Sequence, residues 1–276
     1  MNRIKTWLKR QPRVLAWYDY LQRTILGNLT SNPWRVIRGY VWFLRDLRNY
    51  RRLGGEAPLR DLSPRLYDKT DITPLDAYYF YQDTWLAGKV FNSKPPYHVD
   101  VGSTALLVGI LSKFTQVCSV DIRPLPVSLP NLQVKRGSVL ALPFEDSILL
   151  SLSSLCVIEH IGLGRYGDPI DPLGTEKAIA ELCRVLAPGG NLYVSVPLEK
   201  SSRVQFNAHR VFCPDAFLNK FTGLDLIEVA FVQPDGIHNL DVLDANSTLS
   251  GLTVGLFHLQ RPCLDKTDSQ QQTEYR

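Results

Sequence analysis

The run Asp100-Val101-Gly102-Ser103-Thr104 is the first place in the chain where residue types and their order point to chemistry. A glycine directly after a short apolar run lets the backbone approach a ligand closely, and Ser103 or Thr104 can cap a following helix. Asp121 closes the next apolar run, at the spacing of about 20 residues that separates a phosphate- or ligand-facing glycine from a ribose-binding acid in doubly wound folds. A carboxylate there can accept hydrogen bonds from both ribose hydroxyls. The pair therefore predicts a nucleoside-bearing ligand. Cys118, Cys156, Cys183, Cys213 and Cys263 are odd in number, widely spaced and free of any CxxC or Cys/His grouping. Neither a disulfide framework nor a structural zinc site is expected.

Gly102 and Asp121 act together only if strands bring them side by side. From Tyr97 the sequence alternates short β-rich runs with helical ones. Strands are expected at 98–101, 117–122, 132–135, 147–152 and 191–196. Helices are expected at 105–114, near 157–161 and at 175–186, with a turn at Pro188-Gly189-Gly190. The apolar runs 224–231 and 252–259 would close the sheet. Strands separated by helices imply βαβ units with right-handed crossovers. The fold class is thus α/β, a Rossmann-like doubly wound, mostly parallel sheet, in which ligands bind beyond the carboxyl ends of the strands where strand order reverses.

The Gly102–Asp121 pair alone does not separate a nicotinamide enzyme from a methyltransferase. Further along come Gly137-Ser138-Val139-Leu140-Ala141-Leu142-Pro143-Phe144, then Cys156-Val157-Ile158-Glu159-His160-Ile161, then Arg184-Val185-Leu186-Ala187-Pro188-Gly189-Gly190. With the first loop, this ordered set resembles the class I S-adenosylmethionine-dependent methyltransferases over roughly residues 95–200. No tyrosine is followed four residues later by lysine, the pair usual in short-chain dehydrogenases. The resemblance implies S-adenosylmethionine as cofactor, held by Asp100, Gly102 and Ser103 at its methionine part, Asp121 at the ribose, Ile122 at the adenine face, and Ser138 and Val139 at the adenine edge. Two departures stand out: the usual G-x-G-x-G loop is reduced to Gly102, and Ser138 replaces the acid common after the third strand.

Phe206-Asn207-Ala208-His209-Arg210-Val211-Phe212, followed by Pro214 and by Gln233-Pro234-Asp235-Gly236, resembles uncharacterised methyltransferase-like proteins associated with bacterial surface-polysaccharide synthesis. That resemblance implies O-methylation of a sugar or glycan intermediate. The alternative is a catalytically inactive methyltransferase-like binding module in a glycan biosynthesis complex, which the shortened glycine loop favours. For a hydroxyl acceptor a base must remove a proton, and His160 and His209, after the fourth and fifth strands, are the candidate catalytic residues. Arg165, Tyr166 and Asp168 in the following loop, with Arg210, are the candidate substrate residues. Glu159-His160 resembles part of the metal-binding Glu-x-x-Glu-His of some quinone O-methyltransferases, but Cys156 holds the first Glu position, and no metal is expected.

The net charge of +4 over 276 residues hides an asymmetry. Residues 1–52 hold 12 Lys/Arg against Asp19 and Asp46, while the remainder is acidic by six charges. Within 1–52, Val36, Tyr40, Phe43, Leu47 and Tyr50 recur at helical spacing opposite Arg35, Arg38, Arg45, Arg48 and Arg52, with Pro33 in the first turn and Asn32 as cap. The helix should stop at Gly54-Gly55, and a second aromatic helix should run from Leu75 to about Phe91. These patterns divide the chain into a basic amphipathic helical extension (1–52), a connector and helix (53–94), a Rossmann-like domain (95–262) and a disordered polar tail (263–276). No apolar run reaches the roughly 18 residues of a membrane span, and Met1 to Arg13 lacks a secretory apolar core. The expected location is the cytoplasm, peripheral at the inner membrane face through residues 1–52, with a small-molecule or glycan acceptor as partner. Nucleic acid is not an expected partner, because no recognised binding module accompanies the basic residues; a homo-oligomer is left open.

Overall fold

A computed structural model describes residues 33–233, 235–239 and 251–263. Residues 1–32, with the expected Asn32 cap, Pro234, residues 240–250 and the tail beyond Cys263 lie outside the described residues. The chain forms two compact units divided between Pro74 and Leu75.

In the first unit, helix α1 (Pro33–Arg52) begins at Pro33, whose missing N–H costs nothing at a helix start. It ends before Gly54, which adopts a positive φ of 89°. After a 3₁₀ turn at Leu59–Asp61 the connector returns along the helix. Of the expected stripe, Val36, Tyr40, Phe43 and Leu47 are half-buried and Tyr50 is exposed. Gly39 is the residue of α1 that becomes buried, and a Cβ on it would lie 2.8 Å from the Leu66 Cβ. With no side chain at 39 the connector backbone packs closely beside the stripe, while Ile37, Val41 and Leu44, which lie off the stripe, remain exposed. The apolar periodicity marks the half-buried side of the helix, and the closest approach falls at the one position small enough to admit a second backbone.

The second unit begins with helix α2 (Ala77–Ser93), capped by Asp76, whose carboxylate accepts from Tyr79 N at 3.4 Å. Its buried residues Gln82, Trp85, Leu86 and Val90 follow helical spacing. Trp85 Nε1 and Lys89 both donate to Glu228, which anchors α2 to the sheet unit. The expected boundary at 94/95 is therefore displaced: α2 belongs to the α/β unit.

That unit is an eight-stranded sheet with helices on both faces. The strands are β1 (Tyr97–Val101), β2 (Gln116–Asp121), β3 (Leu132–Arg136), β4 (Leu149–Leu155), β5 (Leu186–Leu198), β8 (Asp225–Gln233), β9 (Gly236–Asn239) and β10 (Thr253–Gln260). A separate ribbon pairs β6 (Arg203–Gln205) with β7 (His209–Val211). The sheet order is β3-β2-β1-β4-β5-β10-β8-β9. β1 to β5 are parallel, and β10 lies antiparallel between β5 and β8. This is a Rossmann-like, doubly wound α/β fold with a mostly parallel sheet, as expected. α2 and α3 (Ala105–Leu111) contribute to one apolar cluster, and α4 (Gly174–Val185) and α5 (Pro214–Leu218) to the other.

Four expected elements differ. The helix expected at 105–114 ends at Leu111. β4 runs 149–155, not 147–152. The helix expected near 157–161 is a single 3₁₀ turn, Ile158–His160. β5 starts at Leu186 and passes through Pro188-Gly189-Gly190, where the pairing register shifts opposite Leu149 and Ser151. Gly189 takes a φ of 74° there, so the expected turn is an irregularity inside a strand. Among the described residues no helix is long and apolar enough to cross a membrane.

Candidate functional site

Strand order reverses between β1 and β4, which opens a crevice beyond their carboxyl ends. A cleft of about 340 Å³ occupies that place, within the usual size of small-ligand sites. Gly102, Asp121, Ile122, Ser138, Val139, His160, Tyr166 and Asp168 all line it, so four separate sequence segments converge as the topology requires.

Gly102 makes the crevice possible. Its φ is 72°, and a Cβ there would lie 3.1 and 3.2 Å from the Val157 methyls and 3.7 Å from Asp121 Oδ2. Asp121 Oδ1 accepts from Arg123 N at 2.6 Å, a turn bond that fixes the carboxylate and leaves Oδ2 on the Gly102 side. Ile122 and Val139 supply apolar walls. Ser138 Oγ accepts from Leu140 N at 3.1 Å, so its hydroxyl hydrogen is available to an acceptor. A fixed carboxylate, an uncovered backbone and two apolar walls fit a nucleoside, with Asp121 on the ribose.

Asp100 and Ser103 were expected to touch the ligand, and neither lines the cleft. Asp100 is fully buried beneath the loop. Its Oδ1 accepts from Ser103 N at 3.1 Å and its Oδ2 from Ser153 Oγ at 2.5 Å. Ser153 and Ser151 in turn face the two ring nitrogens of buried His98, at 3.0 and 2.7 Å. Ser103 Oγ accepts from Leu155 N at 3.2 Å. These bonds tie the end of β1 to β4 and hold the Gly102 loop from below. Burial raises the Asp100 carboxyl to about 6 and lowers His98 to about 3. The signal for this network was polar side chains inside otherwise apolar strand runs.

His160 is a cleft residue with a defined tautomer. Its Nδ1 lies 2.6 Å from the Ala208 carbonyl oxygen, which can only accept, so Nδ1 carries the hydrogen and Nε2 the lone pair. Burial is the main cause that lowers its pKa to about 4, with Arg165 and His209 adding to it. Glu159 Oε1 lies 3.5 Å from Nε2, and Glu159 Oε2 is buried without a partner among the described residues. Burial pushes the Glu159 carboxyl up to about 8. Cys156, half-buried at the cleft wall, donates to Gln82 Oε1, as does Ser195. Gln82 stands out in the sequence only as a polar residue on the apolar face of α2.

His209 stands 6.2 Å from His160, ring to ring, and does not line the cleft. Arg165 donates to the Ala208 carbonyl at 3.0 Å and lies 5.1 Å over the Tyr166 ring, with Arg123 on the same ring at 4.3 Å. Asp168 accepts from Gly162 N at 2.7 Å, so it shapes the loop as well as lining the cleft. Arg210, expected at the substrate, is buried elsewhere: it donates to the carbonyls of Ile161 (2.6 Å), Asp171 (3.2 Å) and Pro172 (3.2 Å). Its guanidinium is consumed in closing the loop that carries Arg165 to Asp168. Arg123 lines the cleft although no role was assigned to it; its signal was its position two residues after Asp121.

A family model described as "Caenorhabditis protein of unknown function, DUF268" matches residues 147–246. No curated protein matches the sequence. Among solved structures the chain is similar to the cyclase SpnF, at 12% identity over 65% of this chain and 80% of that one, with a TM-score of 0.49. It is also similar to geranyl diphosphate C-methyltransferase from Streptomyces coelicolor A3(2), at 10% identity over 64% and 78% of the two chains and a TM-score of 0.45. A third is the N-methyltransferase NodS from Bradyrhizobium japonicum WM9, at 14% identity over 68% and 89% with a TM-score of 0.44. The last two structures are complexes with S-adenosyl-L-homocysteine.

Proposed function

We propose that the chain is an S-adenosylmethionine-dependent methyltransferase acting on a hydroxyl oxygen, with a sugar or glycan intermediate as acceptor. The observation that carries this reading is the convergence of Gly102, Asp121, Ile122 and Val139 on one crevice at the reversal of strand order. The bound cofactor supplies a methyl group already activated by its sulfonium. Asp121 accepts from the ribose, Ile122 and Val139 enclose the base, and Ser138 donates at its edge. The remaining work is positioning and proton removal.

His160 Nε2 is the base this geometry favours. A pKa near 4 keeps the ring neutral at physiological pH, so the lone pair is always present. Such a base is weak, but the acceptor hydroxyl becomes strongly acidic as its oxygen bonds carbon, and a weak base then suffices to take the proton. Tyr166, flanked by Arg123 and Arg165, offers an aromatic surface and donors that suit a polyhydroxylated acceptor.

Calorimetric titration with S-adenosylmethionine tests the cofactor assignment. Asp121→Ala should weaken binding by about 1–3 kcal/mol, the loss expected for charge-assisted bonds to the ribose. Unchanged affinity in a folded variant refutes the site. His160→Ala should keep cofactor affinity and lower turnover of a hydroxyl acceptor; cofactor binding with no turnover on any acceptor would favour the inactive binding module.

A further inference from the structure

The first unit holds a cavity of about 590 Å³ between α1 and the returning connector, lined among others by Arg35, Arg38, Trp42, Arg45, Tyr67 and Lys69. Its origin is local. Positions 35, 38, 42 and 45 share one side of the helix, and Gly39 in their midst lets Leu66 approach the backbone, so the surrounding long side chains splay around a hollow. We propose that this cavity is a binding site for a phosphoryl group, as a phosphate ester or a diphosphate.

Three features support an anionic oxygen ligand. First, Arg35 and Arg38 enter no ion pair among the described residues; Asp46 takes Lys69 and Arg45, at 3.1 Å each, and Asp71 is the acid on the cavity wall. Two guanidinium groups are left without a carboxylate. Second, the cations are held in place from behind by aromatic rings: Arg35 lies 5.1 Å over Tyr67 and Lys69 5.1 Å over Trp42. A guanidinium stacked on a ring keeps its N–H edge free for a bidentate phosphate. Third, the Tyr67 hydroxyl is buried and has no hydrogen-bond partner among the described residues. A buried donor left unsatisfied is costly and uncommon, and a ligand oxygen in the cavity would satisfy it. Arginine edges and a phenol donor converging on one hollow match the several acceptor oxygens of a phosphoryl group better than a single carboxylate.

Titration calorimetry of the full chain with inorganic pyrophosphate at low salt tests the proposal without involving the cleft at the sheet. One saturable site is expected. The double variant Arg35→Gln/Arg38→Gln should weaken it by about tenfold or more, and Tyr67→Phe, which keeps the ring and the fold, should weaken it severalfold. Arg60→Gln, outside the cavity but in the same unit, should leave it unchanged. Phosphatidylcholine vesicles containing phosphatidic acid separate the sources: vesicle binding displaced by pyrophosphate identifies a lipid headgroup, whereas vesicle binding indifferent to pyrophosphate identifies a soluble phosphate compound. Absence of a saturable site, unchanged affinity in Tyr67→Phe, or a loss in Arg60→Gln equal to that in the arginine double variant would overturn the proposal.

Discussion

Glu159 and His160 are sequence neighbours whose protons burial moves in opposite directions. Glu159 keeps its proton up to about 8 and His160 gives its proton up near 4. At neutral pH the pair is therefore an uncharged acid beside an uncharged base, which lets Glu159 stay buried and His160 line the cleft without an unpaired charge. The consequence for stability has a definite sign. Between its ordinary value of 4.5 and about 8, Glu159 is protonated in the folded chain and ionised in the unfolded one. The folded state binds the extra proton, so this contribution is complete below pH 4.5 and is lost as pH rises through about 8. Glu159→Gln, which cannot ionise, should melt above the wild type at pH 8.5, by about 2–8 °C for a unit of this size, with the gap closing near pH 5. Thermal melts across that range check it, and a gap independent of pH would show that folding does not raise the carboxyl's pKa.

Among the elements, the loop between β4 and α4 decides where the cleft residues point. It is closed by contacts from three directions. Asp171 N donates to Gly162 O at 2.9 Å, a closure so tight that a Cβ on Gly162 would lie 2.0 Å from Asp171 O. Asp168 gathers backbone N–H groups from inside, and Arg210 bonds three carbonyls from the β6–β7 ribbon. Arg210→Ala should cost about 2–4 kcal/mol, because buried carbonyls lose a charged donor. It should also loosen the Ala208 carbonyl that fixes the His160 tautomer, since both residues belong to the same strand connection. Urea unfolding gives the first quantity, and protease sensitivity within 161–172 gives the second. Stability equal to the wild type would contradict the assigned role.

At the scale of the whole molecule, the charge asymmetry places a strongly basic segment beside an acidic α/β unit in sequence, and α1 exposes Ile37, Val41 and Leu44 next to Arg38, Arg45 and Arg48. An apolar strip flanked by arginines is the pattern of an interfacial helix, and each cation near an anionic surface contributes on the order of 1 kcal/mol. We propose that this helix attaches the protein reversibly to an anionic membrane face. The full chain should co-sediment with anionic vesicles at low salt and release at high salt. Ile37→Glu/Leu44→Glu should abolish the attachment; no sedimentation at low salt, or sedimentation unchanged in that variant, would refute it.

The sequence by itself determined the β/α alternation, the fold class, and the convergence of Gly102, Asp121, Ile122 and Val139, because these follow from local periodicity and from the rule that parallel strands present their carboxyl ends to one crevice. It also marked His160 and Tyr166 by their place after a strand. Only the tertiary structure decided that Asp100 and Ser103 support the loop from beneath, that Arg210 closes a loop, that α2 belongs to the sheet, and that α1 is covered on its Gly39 face. The physical reason is the same in each case. A polar side chain's role is set by which partners lie within about 3 Å of it, and those partners come from distant segments, as Ser153 does for Asp100, 53 residues away, and Ile161 for Arg210, 49 residues away. Periodicity fixes which way a side chain leaves its own strand or helix; what it meets there depends on the packing of the others.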